Sequence, residues 1–247
     1  MITKLIKLLF LAVLCTGVIT FSPLDINAQS RVETAIRRSQ NAARTIQVVT
    51  AMPEEETIPP ELLKRARAIG VFPDVVKMGM FFSEGMKGYG VICNRIENSW
   101  TLPAFYSFAS SQFNISLQFK SFDLVVLFVD EEAVKAFQSG RVDLKGLLAG
   151  VPGPVGKMTR EKENSIRMAS VIVYGLLDGK LRGLTVESDI LNGAVINPDN
   201  NVNNSVYGMK GREIFKGIQP KTAPPVGVNS FSTTLNQTIP SKVSDMP

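Results

Sequence analysis

The dipeptide Asp178-Gly179, set inside "VIVYGLLDGKLRGLTVESDIL", constrains the fold of this 247-residue chain more than any other feature. Two runs rich in apolar and β-branched residues meet at a pair that favours the left-handed backbone of a two-residue hairpin turn. Counting outward pairs Leu176 with Leu181 and Tyr174 with Gly183, so the Tyr174 ring is expected over the bare glycine. Both faces of the two strands are largely apolar, which predicts a deeply buried hairpin.

The same period of two, with frequent glycine, runs from Val76 to Val129 and predicts antiparallel strands joined by short turns. Helical spacing brackets these strands. Ser30 and Glu33 form a capping box, and Val32, Ala35, Ile36, Ala42, Ala43, Ile46 and Val49 recur toward Met52, giving an amphipathic helix of about five turns. Its other side carries Arg31, Arg37, Arg38 and Arg44. Such a basic face suits a membrane-surface helix or a core-packing helix with a solvated side, and the two are compatible. A second helix is predicted from Pro60 to Ile69, opened by Pro59-Pro60 and closed by Gly70; it adds Lys64, Arg65 and Arg67. Beyond Tyr207 strands fade, and residues 221–247 read as a polar, loosely packed tail. The expected fold class is α+β: an antiparallel sheet, sandwich- or barrel-like, with flanking helices that include the N-terminal amphipathic one.

At the N-terminus, Lys4 and Lys7 precede an apolar run from Leu8 to Phe21, Pro23 ends it, and Ile26-Asn27-Ala28 offers a small-residue cleavage site. That order reads as a secretory signal peptide over residues 1–28. About 14 apolar residues fall short of the roughly 20 that span a bilayer, so an uncleaved anchor is the weaker alternative. The protein is therefore expected to be exported, periplasmic or extracellular, and peripheral on a membrane. Losing Lys4, Lys7 and Asp25 lowers the formal net charge from +5 to +4. Spread over a whole domain, that charge supports weak attraction to anionic surfaces and does not fit a dedicated nucleic-acid binder. Cys15 leaves with the signal, so Cys93 has no intramolecular partner.

The chain contains no histidine, which excludes a Ser-His-Asp or Cys-His pair and every His-containing zinc site. Carboxylate clusters remain. Asp130, Glu131 and Glu132 follow the strand "DLVVLFV" and fit better as the cap and first turn of a helix that ends at Gly140. Glu187 and Asp189 share one face of a strand and suit a solvated strand end better than a site. "GVPGPVGKM" fails as a phosphate loop: its spacing is one residue too long, Met158 stands where Ser or Thr belongs, and Pro152 and Pro154 lack N–H groups. Gly85, Gly88 and Gly90 have the order GxxGxG, not that of a dinucleotide fingerprint. No catalytic residue, metal or cofactor is expected.

Six segments, "IPPELLKRARAIGVFP", "GYGVICNRIENSWTLPAF", "FDLVVLFVDEEAVKAF", "GVPGPVG", "VIVYGLLDGKLRGL" and "NNSVYG", follow in the order and approximate spacing of the SYLF-domain family. The chain resembles that family over residues 58–208, within a domain expected to run from 29 to 220. The resemblance implies a non-enzymatic domain that binds phospholipid membranes, phosphoinositides among them. In fungal members it also implies actin, a partner not expected for an exported protein. Joined to the residue reading, it makes Arg31, Arg37, Arg38, Arg44, Lys64, Arg65 and Arg67 the candidate lipid-binding residues, with the apolar face of the helix entering the interface. The alternative is a cell-envelope module whose partner is a protein. The resemblance also makes Trp100 a core anchor beside a turn, in a Trp-Ser-x-Pro strand where Thr101 replaces the serine. Asn114, Asn203 and Asn236 each begin an N-x-S/T sequon.

Overall fold

The computed structural model describes residues 23–80, 83–110, 121–139, 142–143, 150–184 and 193–239. Residues 1–22 of the expected signal peptide, Asn114, Gly140, Glu187 and Asp189 lie outside the described residues. The described residues begin with helix α1 (Pro23–Thr50), followed by α2 (Pro60–Arg65), β1 (Ala68–Met80), β2 (Ser83–Ile96), β3 (Ser99–Trp100), β4 (Ala104–Ser110) and β5 (Ser121–Phe128). Next come α3 (Glu131–Ser139), β6 (Val142–Asp143), β7 (Gly150–Pro152), α4 (Arg160–Ser165), β8 (Val171–Leu177) and β9 (Lys180–Gly183). Strand β10 (Val195–Pro198) and helices α5 (Asn200–Tyr207), α6 (Gly211–Phe215) and α7 (Ser230–Thr238) complete it.

The expected α+β class holds. The described strands form one open sheet in the order β6-β10-β4-β2-β1-β5-β8-β7, with β3 added to β2 and β9 to β8; the path does not close into a barrel. All pairings are antiparallel except β7 with β8. The hairpin at Asp178-Gly179 has the expected register, Tyr174 opposite Gly183 and Leu176 opposite Leu181, and both turn residues have positive φ (47° and 74°). What covers Gly183 differs from the expectation. The atoms nearest its missing side chain are backbone of Pro152 and Gly153, while the Tyr174 ring lies over Gly153 and its hydroxyl donates to the Pro154 carbonyl (3.1 Å). The glycine-proline loop is thus a seat for a tyrosine.

The other glycine run has a packing cause too. β1 breaks register between Phe72 and Val75, where Asp74 has a positive φ of 52°. This bulge crowds β2, so a side-chain carbon on Gly90 would stand 2.1 Å from the Val71 carbonyl oxygen and one on Gly88 2.7 Å from Val75. The bulge is held by Asp123, whose carboxylate accepts from the Asp74 N–H (3.0 Å) and the Thr45 hydroxyl of α1 (2.7 Å).

Helices pack on both faces of the sheet. On one, Phe137 of α3 meets Tyr106, Phe128 and Phe215 of α6 at ring separations of 5.5, 4.7 and 5.1 Å. On the other, α1 buries Ala35, Ala42, Ile46 and Val49 completely. Its start differs from the capping-box reading: Ser30 lies inside the helix, which reaches back to Pro23, a residue tolerated in a first turn. α2 stops at Arg65, short of Ile69, because Ala68 and Ile69 pair with both β2 and β5. The segment expected as a loose tail holds α7, whose Phe231 and Leu235 are fully buried along with Val228.

Burial sets the alkaline limit of the fold. It pushes the hydroxyls of Tyr106, Tyr174 and Tyr207 above their ordinary 10.0 and the Cys93 thiol above 9.0; for Tyr207 the nearby Cys93 adds to the effect. Below pH 9 these groups are protonated folded or unfolded, so their stabilisation is complete. As pH rises further the unfolded chain releases the protons first, and each group then costs about 1.4 kcal/mol per pH unit. Cooperative unfolding is expected soon above pH 10, with the tyrosinate absorbance step coinciding with the loss of circular dichroism. Tyrosinate absorbance that rises fully before the fold is lost would contradict this burial.

Candidate functional site

Helix α1 delivers two of the seven predicted basic residues to one place. Arg31 and Arg38, two turns apart on the same side of the helix, line an open groove of about 560 Å³. Lys87 and Tyr89 of β2, Ser107 of β4, Asp199, and Asn200 and Asn201 at the start of α5 complete its polar lining. The strand period explains the contribution of β2: in "KGYG" the glycines turn under the β1 bulge, so Lys87 and Tyr89 share the opposite face.

The Arg38 guanidinium lies 4.4 Å from the Tyr89 ring centre and donates to Asp199 Oδ2 at 2.8 Å. Both side chains of this ion pair are mostly buried (16% and 17% exposed), so it is shielded from the screening that weakens surface pairs. Asp199 also caps α5 by accepting from the Val202 N–H (3.3 Å). It is the only acidic side chain among the lining residues, and Arg38 neutralises it. Lys87 Nζ sits 5.1 Å from the same Tyr89 ring centre. Among the described residues, neither Lys87 nor Arg31 has a carboxylate within ion-pair distance. Two uncompensated cations, an aromatic face and side-chain amides around an open groove can receive an anionic, oxygen-bearing group.

The other predicted residues lie elsewhere. Arg37 is exposed and outside the groove. Arg44 lines a separate cleft of about 170 Å³ together with Asp74 and Asp123. Lys64 and Arg65 are exposed in the last turn of α2, and Arg67 approaches Glu131 at 3.5 Å. Arg67 immediately precedes β1, whereas Lys87 pairs with Val76; at about 3.3 Å per residue these positions are roughly 25–30 Å apart. The seven residues therefore do not form one surface. The apolar face of α1 is core, so in this docked arrangement it has no free face to insert.

Several motifs resolve as structure. Asp130 caps α3 by accepting from the Ala133 N–H (2.7 Å) and also accepts from the Ser170 hydroxyl. Trp100 is 6% exposed and covered by Arg95 at 4.3 Å, whose guanidinium donates to the Leu63 and Lys64 carbonyls at the end of α2. Burial lowers the Arg95 pKa. The Thr101 hydroxyl accepts from the Asn94 N–H (3.0 Å), a bond that a serine could also make. Asn203 of "NNSVYG" is fully buried, which closes that sequon to glycosylation in the folded protein. Asn236 is exposed, and its side-chain oxygen accepts from the Trp100 N–H (3.3 Å).

The fold and groove define an open-sheet α+β domain with helices on both faces and a basic cleft beside α1. The family model described as "Ysc84: Las17-binding protein actin regulator" matches residues 111–238, and the chain belongs to that family, the SYLF family that its six segments resemble. LAS seventeen-binding protein 3 of Saccharomyces cerevisiae is 26% identical over 191 residues, 76% of this chain and 39% of that protein. SH3 domain-containing YSC84-like protein 1 is 27% identical in Xenopus laevis over 156 residues, 60% of this chain and 46% of the relative. The Bos taurus protein is 25% identical over 139 residues, 56% of this chain and 40% of the relative. The chain thus spans less than half the length of each of these relatives.

Proposed function

We propose that this domain binds an anionic phospholipid surface without catalysis, as an exported protein held peripherally at a membrane. Arg31 and Lys87 carry this reading: among the described residues both are cations without a carboxylate within ion-pair distance, lining with Tyr89 an open groove whose one acid is neutralised by Arg38. Phosphate oxygens of a lipid headgroup, phosphoinositides included, match those donors. Export is supported by the order of basic, apolar and small residues over positions 1–28. Among the described residues no helix is long and apolar enough to cross a membrane. A protein partner is the second reading, favoured by the family description, "Las17-binding protein actin regulator", and by the name of the Saccharomyces cerevisiae relative, LAS seventeen-binding protein 3.

Each basic group near an anionic surface contributes about 1 kcal/mol, so Arg31→Gln with Lys87→Gln is expected to weaken binding about 20- to 30-fold. Lys64→Gln with Arg65→Gln, at the far end of β1, is expected to change it less than about 3-fold, since each residue acts only within a Debye length. Co-sedimentation of the full chain with neutral and anionic vesicles at low and high salt reads this out, the anionic-minus-neutral difference being the signal. Equal losses from the two pairs would remove the groove from the mechanism, and no anionic preference would turn attention to the protein partner.

A further inference from the structure

The groove continues onto an arm of the sheet that supplies what α1 cannot. The last described pairing of β1 with β5 is Val76 with Ser121, and that of β2 with β4 is Met86 with Ser110. Beyond those positions, among the described residues, β1 and β2 pair with each other, Met78 opposite Gly85 and Met80 opposite Ser83. Val76 and Met78 are two apart on one strand and so share a face; because Val76 pairs with Lys87, that face also holds Lys87 and leads into the groove. Val76 is 40% exposed and Met78 53%, although both are large apolar residues. A single exposed apolar residue is ordinary, but two in line beyond a pair of uncompensated cations form a basic step with an apolar extension.

The spacing fits a lipid interface. If the Lys87 ammonium stands at the level of the phosphates, Met78 lies two residues further along the arm, roughly 7 Å at strand rise. Interfacial elements bury their apolar face about 5–10 Å into the headgroup and acyl boundary. We propose that the arm formed by the ends of β1 and β2 inserts Val76 and Met78 into an anionic bilayer while Lys87 and Arg31 hold the phosphates. This rests on the lipid-surface reading above and adds the element that enters the membrane. The occupant is a bilayer and not an acidic protein patch because charge and apolar surface are displaced along the arm in the order in which a bilayer presents phosphate and hydrocarbon.

The test places an indole at the apolar position. Met78→Trp in the full chain adds an emission signal to that of Trp100, which is buried in the core and serves as the unmutated baseline. With equimolar phosphatidylcholine and phosphatidylglycerol vesicles, the introduced indole is expected to shift to the blue and to be quenched by nitroxide placed shallowly on the acyl chains. Met78→Asp in the same assay is expected to lower the bound fraction by about tenfold while leaving the melting temperature unchanged, since the position is half exposed. Anionic binding that persists with unshifted, unquenched emission overturns insertion and leaves purely electrostatic attachment standing. Loss of anionic preference in the parent chain overturns the lipid reading itself and the arm with it. A blue shift on an acidic protein surface but not on vesicles assigns the arm to a protein partner.

Discussion

Gly90→Ala is expected to leave no cooperatively folded protein. The added carbon would stand 2.1 Å from the Val71 carbonyl oxygen and 2.7 Å from the Phe72 Cα, and both contacts are backbone. A flexible side chain could swing aside, but these atoms belong to β1 at its bulge. That bulge is fixed by Asp123, which is in turn hydrogen-bonded to α1. Relief would require parting the two strands at the middle of the sheet, breaking pairings on both sides of Gly90. Overpacking in a well-packed core costs about 1–3 kcal/mol where side chains can adjust, and more where they cannot. A cost above 3 kcal/mol is a large part of the roughly 5–15 kcal/mol by which domains are stable. Gly179→Ala is the control: it sits at φ 74° with nothing near its missing side chain, so it should cost only about 1 kcal/mol of backbone strain. Urea titration followed by circular dichroism separates the two; equal midpoints would mean that the strands at Gly90 are further apart than described.

Asn203→Ala carries the second largest effect, expected at about 3 kcal/mol, or roughly 6–12 °C in melting temperature. The Asn203 side-chain oxygen accepts from the Phe105 N–H (2.9 Å), and its amide donates to the Phe105 carbonyl (2.8 Å) and the Asp199 carbonyl (2.9 Å). One buried amide thus does for Phe105 what a neighbouring strand would do. Truncation leaves the Phe105 N–H unpaired in the core, while the Phe105 and Asp199 carbonyls keep only the backbone N–H groups of Asp199 and Asn203 (2.9 Å each). One turn later on the helix, Tyr207 donates to the Pro103 carbonyl (2.9 Å), so Tyr207→Phe should cost about 1 kcal/mol, since it leaves one acceptor unpaired. Asn203→Asp should fail to rescue, because it keeps an acceptor but faces two carbonyls with none of the amide's donors. A melting temperature near the parental one for Asn203→Ala would mean that water replaces the side chain.

Local rules made much of the fold legible. Asp178-Gly179 announced a hairpin and its register, and Asp130 announced the start of α3, because each depends on residues within a few positions. The start of β1 was hidden: Ala68 and Ile69 continue a helical pattern and are drawn into strand only by partners around positions 93 and 127. α7 was hidden because "SFSTTLNQT" offers little more than Phe231 and Leu235 at helical spacing among polar residues. The site was half legible. Arg31 and Arg38 could be read as basic, but their difference could not, since the carboxylate that claims Arg38 lies 161 residues away. Lys87 and Tyr89 looked like part of a glycine-rich strand, and only the crowding of the glycines shows which way the two side chains must point.

The bond from the Phe231 N–H to the Ser39 hydroxyl joins residues 192 apart, and it ties α1 to α7, the first and last of the described helices. Contacts between the ends of a chain carry the largest loop-closure entropy and form late. A growing chain therefore cannot close this contact until α7 has been synthesised, and a premature stop just before Phe231 would leave the buried Ser39 hydroxyl without it. The last step in closing the core around α1 is thus set by a few residues at the far end of the sequence.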